Sequence, residues 1–375
     1  MTASSPKLKI LCIFVEPAPY ILDLIRVIRQ RHPELELRVL FFSAAVSQAW
    51  NTSLDGECME ILPISRLAAA WQIFRDIRRG QFAWLHLAGW GHPLLMWALL
   101  VGGIFRRRIS MESDTQLAAQ QSGWKEQIKS LLYPRLFQLV ELLFPGGSRQ
   151  RAFFEFYGVP KTRIRIAQMT VDVSAIFKIT EAFKEKRAAT RISMGLTSDA
   201  VVFVYVGRLE DYKGVDLVID AFKAVDDINC RLLIVGDGGM RAKVQQAATD
   251  EPRIFYLGRK DFTGVIEAFA ISDVAVVPST FEPWGLVVNE AMAVGLPVIA
   301  SDRVGCVDDL VLDQQTGIVF PSGELNQLID AMASIATNSQ LRVAMGRAGH
   351  ELISGWRLED AAQIMATAWH NGVCK

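Results

Sequence analysis

The sequence predicts an α/β protein made of two doubly wound parallel-sheet domains in tandem. Three observations carry this. At 375 residues the chain is long for one core, and 51% of it is hydrophobic, ample for sheets buried on both faces. Short apolar runs alternate with segments of helical spacing, the order that yields parallel strands joined by crossover helices. That alternation lapses once, in a charged, alanine-rich stretch, and then restarts.

In the first half, Leu8–Val15 reads as a buried strand, Ala18-Pro19-Tyr20 as a turn, and Ile21–Arg31 as an amphipathic helix. Leu35–Phe42 is the second strand, and Ile61–Arg79 holds a helix. Ala83–Leu87 is another strand, Pro93–Gly102 a helix, and Arg108–Met111 a short strand ending at Glu112-Ser113-Asp114. Ile128–Gln138 is helical, Val140–Phe144 a strand, Ser148–Tyr157 a helix closed by Gly158, and Ile164–Gln168 finishes this half. Lys184–Arg191 carries five charges and no strand pattern, so an interdomain linker is expected within 171–199. The second half begins with a strand at Val201–Val206 and a helix at Gly214–Val225. Arg231–Val235, Arg253–Leu257, Val274–Pro278, Pro297–Ala300 and Gly317–Phe320 are its further strands, and from Leu341 the chain reads as helical to its end.

Lys+Arg and Asp+Glu number 40 each, so no basic field marks a nucleic-acid partner. The five cysteines are scattered without C-x-x-C spacing, which points to buried thiols in a reducing, cytoplasmic setting. Lys7–Val15 is too short and too soon broken by Glu16-Pro17 for a secretory signal. Trp84–Phe105 is long and apolar enough to raise the question of a membrane span, but His86, His92, Pro93 and four glycines divide it into strand, turn and helix. With Arg106-Arg107-Arg108 behind it, this segment leaves room for a peripheral contact with an anionic membrane face.

The chemistry concentrates in the second half. Ser279–Gly295 reads STFEPWGLVVNEAMAVG and follows the Val274–Pro278 strand. Glu282 lies in the loop at the strand's C-terminal edge, where open α/β sheets bind ligands. Gly285 opens a helix, and the first N–H groups, at Gly285, Leu286 and Val287, suit a phosphate. Glu290, eight positions after Glu282, can accept bonds from a ribose diol. Gly207-Arg208-Leu209 through Lys213-Gly214 follows the half's first strand, and Arg208 with Lys213 can converge on a diphosphate. Gly236-Asp237-Gly238-Gly239 fails the full G-x-G-x-x-G fingerprint because Arg241 stands at its last glycine, so a tight turn is expected rather than a dinucleotide loop.

Glu282-Pro283-Trp284-Gly285-Leu286 with Glu290, together with the G-R-L…K-G segment, resembles the retaining glycosyltransferases of family 4, which have the GT-B fold of two Rossmann-like domains facing across a cleft. The likeness is specific over about 201–350 and only architectural before that; the family usually has Phe at the position of Trp284, and a glycine-rich loop where this chain has Glu16-Pro17-Ala18-Pro19. The resemblance implies an acceptor-binding domain over 1–172, a nucleotide-sugar donor domain over 173–354, and a C-terminal helix, 355–375, returning to the first domain. It implies sugar transfer from a nucleotide-sugar to an acceptor hydroxyl (saccharide, lipid-linked or small molecule), with no cofactor. Arg208 and Lys213 would hold the donor pyrophosphate, Glu282 the sugar and Glu290 the ribose, with the base near Arg259 and His86 a sugar or acceptor contact. The chain has no D-x-D pair, which agrees with a metal-independent site. A GT-B nucleotide-sugar epimerase and a non-catalytic nucleotide-sugar binding protein remain alternatives; the failed fingerprint counts against a redox Rossmann protein.

Overall fold

The structure, a computed structural model, describes residues 7–43, 59–117, 123–197, 199–225 and 229–373. It divides into two compact units, Met1–Met169 with Leu358–Lys375, and Thr170–Arg357.

The first unit runs β1 (Leu8–Phe14), α1 (Pro19–Arg31), β2 (Leu35–Phe41), β3 (Met59–Ile61), α2 (Arg66–Arg79), β4 (Trp84–Ala88), α3 (Pro93–Ile104), β5 (Ile109–Ser113), α4 (Trp124–Phe137), β6 (Leu142–Pro145) and α5 (Ser148–Phe156). All pairings are parallel, in the order β3-β2-β1-β4-β5-β6. The chain therefore reverses its winding between β1 and β4, the switch point of the doubly wound fold. The helix expected from Ile61 begins at Arg66, because Ile61 pairs with Phe41 at the edge of the sheet. Glu112 and Ser113 lie inside β5 rather than beyond it, paired with Phe144 and Pro145.

The second unit starts with α6 (Val173–Ser193) and continues β7 (Val201–Val206), α7 (Val215–Ala224), β8 (Cys230–Val235), α8 (Arg241–Asp250), β9 (Ile254–Gly258), α9 (Phe262–Ala270), β10 (Val274–Val277), α10 (Leu286–Val294), β11 (Val298–Ser301), α11 (Val307–Leu310), β12 (Gly317–Phe320), α12 (Leu325–Thr337) and α13 (Ser339–Ser354). Its sheet order, β12-β11-β10-β7-β8-β9, repeats the winding of the first, with the switch point between β7 and β10. The stretch expected as linker is instead a 21-residue helix packed on α9 and α10. Two of its arginines misled the composition reading because they are anchored in the second unit rather than solvated. Arg187 and Arg191 reach Asp273 at 2.9 and 3.1 Å, and Asp273 also accepts from the Val202 N–H at 2.9 Å. Arg191 further donates to the carbonyls of Ile271 and Ala200.

The helical reading from Leu341 is interrupted at Gly355, and the last helix, α14 (Leu358–Val373), belongs to the first unit, where it packs along α1. Ala362, Met365, Ala366 and Trp369 join Ile10, Cys12, Phe14, Trp84 and Phe144 in one core layer. Full burial of a side chain such as Met365 contributes about 1.5–3 kcal/mol, so this helix closes a face of the sheet that would otherwise be open. Cys12, Cys230 and Cys306 are buried free thiols, while Cys58 and Cys374 lie outside the described residues.

Among the described residues, no helix is long and apolar enough to cross a membrane. Trp84–Phe105 resolves into β4, the Gly89–His92 turn and α3, whose Leu94 N–H donates to His92 Nδ1 at 3.2 Å.

Candidate active site

The loops after β7 and β10 meet at the second unit's switch point. The Thr280 N–H donates to the Tyr212 carbonyl at 2.8 Å and its hydroxyl donates to the same oxygen at 3.2 Å, so the two loops are stitched together. Gly236 explains the glycine run after β8: a Cβ there would stand 1.8 Å from the Gly207 carbonyl. The run packs against the Gly207–Leu209 loop, with the Leu209 N–H bonded to the Asp237 carbonyl at 3.0 Å, and so supports the site from behind.

Glu282 is held by its backbone. Its N–H donates to the Arg303 carbonyl at 3.3 Å, its carbonyl accepts from Gly305 at 2.9 Å, and the Trp284 carbonyl accepts from Cys306 at 3.0 Å. The loop is therefore pinned to the segment after β11, and the Glu282 side chain has a defined direction. It accepts from Lys213 Nζ, and both side chains are largely buried. Arg208 donates to the Tyr212 hydroxyl. The Tyr212 ring carries the Arg208 guanidinium 5.5 Å and Lys213 Nζ 5.6 Å from its centroid, within cation–π range. Arg208, Tyr212, Lys213, Phe281, Glu282 and Pro283 line a cavity of about 270 Å³.

Gly285 takes φ +101°, a conformation open to glycine, and caps α10. The Val288 N–H returns to the Gly285 carbonyl at 2.8 Å. The N–H groups of Leu286 and Val287 belong to the first turn, which has no intrahelical acceptor to offer them. Glu290 sits in the second turn, half-buried. Desolvation by the surrounding protein raises its pKa from 4.5 to about 7, so the carboxyl is poised to titrate near neutrality.

The structure thus brings Arg208, Lys213 and Glu282 into one cavity, with Gly207 closing β7 behind them. Glu290 does not line this cavity, and neither does Arg259, which is exposed past β9, two strands from β7 at the sheet's edge. His86 is misplaced by the strand-edge reading. It lies in the middle of β4 at 1% exposure, in the first unit. Ser110 Oγ is 3.0 Å from its Nδ1, Glu112 Oε2 3.4 Å from its Nε2, and the rings of Phe14, Phe144 and Trp369 surround it. Because Trp84, His86 and Ala88 alternate onto the face that α14 covers, this histidine is a core residue that links neighbouring strands.

Two residues escaped the sequence reading. Tyr212 joins both cations, and the signal was its place beside Lys213. Asn289 is buried and accepts from Trp284 Nε1 at 3.0 Å, while Trp284 stacks on Trp356 at 6.1 Å. An indole at the position of Trp284 has a polar partner that a phenyl ring would not need. Among the described residues, no three His, Cys, Asp or Glu side chains gather as metal ligands.

Residues 186–352 match the model of the glycosyl transferases group 1. A D-inositol 3-phosphate glycosyltransferase of Kribbella flavida is 30% identical over 228 residues, 57% of this chain and 52% of that protein. An N-acetyl-alpha-D-glucosaminyl L-malate synthase of Bacillus anthracis is 27% identical over 189 residues, 48% of this chain and 49% of that protein. The chain thus spans about half the length of these curated relatives. Among solved structures, the Anabaena protein HepE in complex with UDP and glucose superposes with a TM-score of 0.72 at 18% identity, over 97% of this chain and 100% of that one. That likeness shows the GT-B fold. The match to the group 1 glycosyl transferases thus covers residues 186–352, and the fold of the chain is that of the GT-B structures.

Proposed function

We propose that the chain is a retaining glycosyltransferase that moves a sugar from a nucleotide-sugar to an acceptor hydroxyl in glycoconjugate biosynthesis. The observation that carries this reading is the switch-point cavity, where two cations and a carboxylate are held by stitched loops beside a helix N-terminus. Arg208 and Lys213 would neutralise the diphosphate as the bond from the sugar's anomeric carbon to the phosphate oxygen breaks. The Lys213 ammonium has three N–H donors, so one can hold Glu282 while others meet phosphate oxygens. Glu282, backbone-pinned, would orient the sugar's hydroxyls, and the proton of the incoming hydroxyl would pass to the departing phosphate oxygen. The first turn of α10 would complete the phosphate site and Glu290 would accept from the ribose. The exposed end of β9 at Arg259 is where we place the base.

The UDP and glucose of the Anabaena structure support a uridine nucleotide as the first donor to try. The cation pair supports metal-independent transfer, and the buried free thiols of Cys12, Cys230 and Cys306 support a cytoplasmic setting. The first unit would select the acceptor. A thermal-shift screen of nucleoside diphosphates, followed by turnover of the matching sugar donor with and without acceptors in excess chelator, tests the reading. Donor consumption that needs an acceptor and survives chelator is expected. Turnover to an isomeric sugar without an acceptor would identify an epimerase, and binding without turnover a non-catalytic protein.

A further inference from the structure

Trp284 stands between Pro283, which lines the cavity, and Gly285, which caps α10, and its side chain is buried at 1% exposure. An indole N–H can only donate, so the buried amide of Asn289 turns its oxygen toward Trp284 and its nitrogen away. That nitrogen donates to Thr170 Oγ1 at 3.5 Å, and the Thr170 hydroxyl donates to the Trp356 carbonyl at 2.7 Å. The Trp356 ring then stacks back on the Trp284 ring, with 24° between their planes. Four residues from three distant stretches of chain thus form a closed circuit. Its hydrogen bonds run one way, from indole to amide to hydroxyl to carbonyl.

The place of this circuit in the unit says what it does. Thr170 is the first residue of the second unit and Trp356, 186 positions later, stands next to its last. α10 packs on both α6 and α13, the first and last helices of that unit. The circuit therefore fastens the start of α10 to both ends of the unit. On either side of Trp284 the backbone carries the site: Glu282 two residues before it, and the N–H groups of Leu286 and Val287 just after it. Buried polar groups are costly without their partners, so the indole keeps one orientation and the turn around it one position. A displacement of about 1 Å at such a site is enough to impair binding and chemistry.

We infer that Asn289 and Thr170 are positioning residues of the donor site. They act through Trp284, setting the place of the first turn of α10 and of the Glu282 loop, and do not touch the nucleotide. The inference rests on the nucleotide-sugar reading, because it gives both residues a role in that site.

Calorimetry tests it, using whichever of UDP, GDP and ADP most stabilises the parent, at a temperature where every variant is folded. Thr170→Val keeps the shape and removes the hydroxyl; it should raise Kd, and donor KM with it, by about three- to tenfold, the worth of one hydrogen bond. Asn289→Leu should do the same. The double variant should stay within about twofold of the weaker-binding single one, because both changes break one circuit. Thr170→Ser, which keeps the hydroxyl, should bind as the parent does, and so should Val343→Ser, an exposed control on α13. A role confined to stability would lower Tm in Thr170→Val and leave Kd and KM unchanged, and that result overturns the inference. So would additive losses in the double variant, or a loss in Thr170→Ser equal to that in Thr170→Val. Should Asn289→Leu not fold, the comparison of Thr170→Val with Thr170→Ser decides alone. A parent that binds none of the three nucleotides fails the transferase reading and the inference with it, whereas a binding parent matched by its variants fails the inference only.

Discussion

The two sheets are wound identically, yet their switch points hold different chemistry. Between β7 and β10 the loops bring Arg208, Lys213 and Glu282 into a cavity. Between β1 and β4 the turn after β4 presents Gly89 and Trp90, and Trp90 is buried among Tyr133, Phe137, Phe153 and Phe154. The nearest titratable side chain on β4, His86, is sealed beneath α14. The winding is the same in both places, and loop composition decides which side chains gather there.

The comparison breaks most visibly at Lys213. Lys213→Ala should cut kcat/KM by at least about a hundredfold, the scale of a lost electrostatic stabiliser of the transition state, with little change in Tm. Near-normal turnover in the folded variant would leave the second switch point no more functional than the first.

Glu290 sharpens the same side. Glu290→Gln should weaken nucleoside diphosphate by about 1.5–3 kcal/mol, as for a lost charge-assisted bond, measured by calorimetry. Since desolvation raises this carboxyl to about 7, affinity that relies on the carboxylate should increase as pH rises through that value. Stability moves the other way. A raised folded-state pKa means the native chain holds the proton more tightly than the unfolded one. This contribution is therefore full below the ordinary value of 4.5 and declines as pH climbs to about 7. The Gln variant should lose that slope in denaturant melts across this window; a variant that keeps it would place the titrating group elsewhere.

On the first sheet, His86→Gln should reduce stability by about 1–2 kcal/mol, through the disturbed link to Ser110 and Glu112, and leave nucleotide affinity and turnover unchanged. A hundredfold loss of turnover at unaltered stability would make β4 part of the chemistry after all. The smallest effect is expected for Trp284→Phe, about 1 kcal/mol of stability, because it removes the hydrogen bond from the indole N–H to Asn289 Oδ1 without removing a site residue. Urea denaturation resolves a change of that size, and none at all would mean that Asn289 finds another donor.

Much of this protein was legible in one dimension, for identifiable reasons. Val201–Val206 and Gly317–Phe320 were readable to the residue, because strands buried on both faces appear as unbroken apolar runs. That Arg208, Lys213 and Glu282 share one cavity was readable because each stands just past a strand end in sequence, and in a doubly wound sheet those ends lie along one edge. The linker reading failed because composition records charges and not their partners: Asp273, some eighty positions from Arg191, turns an apparently solvated stretch into an anchored helix.

What the sequence alone determined is therefore periodic and local: strand, helix, and the polar residues at each strand's end. What only the tertiary structure decided depends on groups far apart in the chain. His86 is a core residue because Trp369, 283 positions later, covers it with α14. Lys213 and Glu282, separated by 69 positions, become one charged pair because two non-consecutive strands lie side by side. Local propensity reports which surface each segment must bury, and only the packed chain says against what.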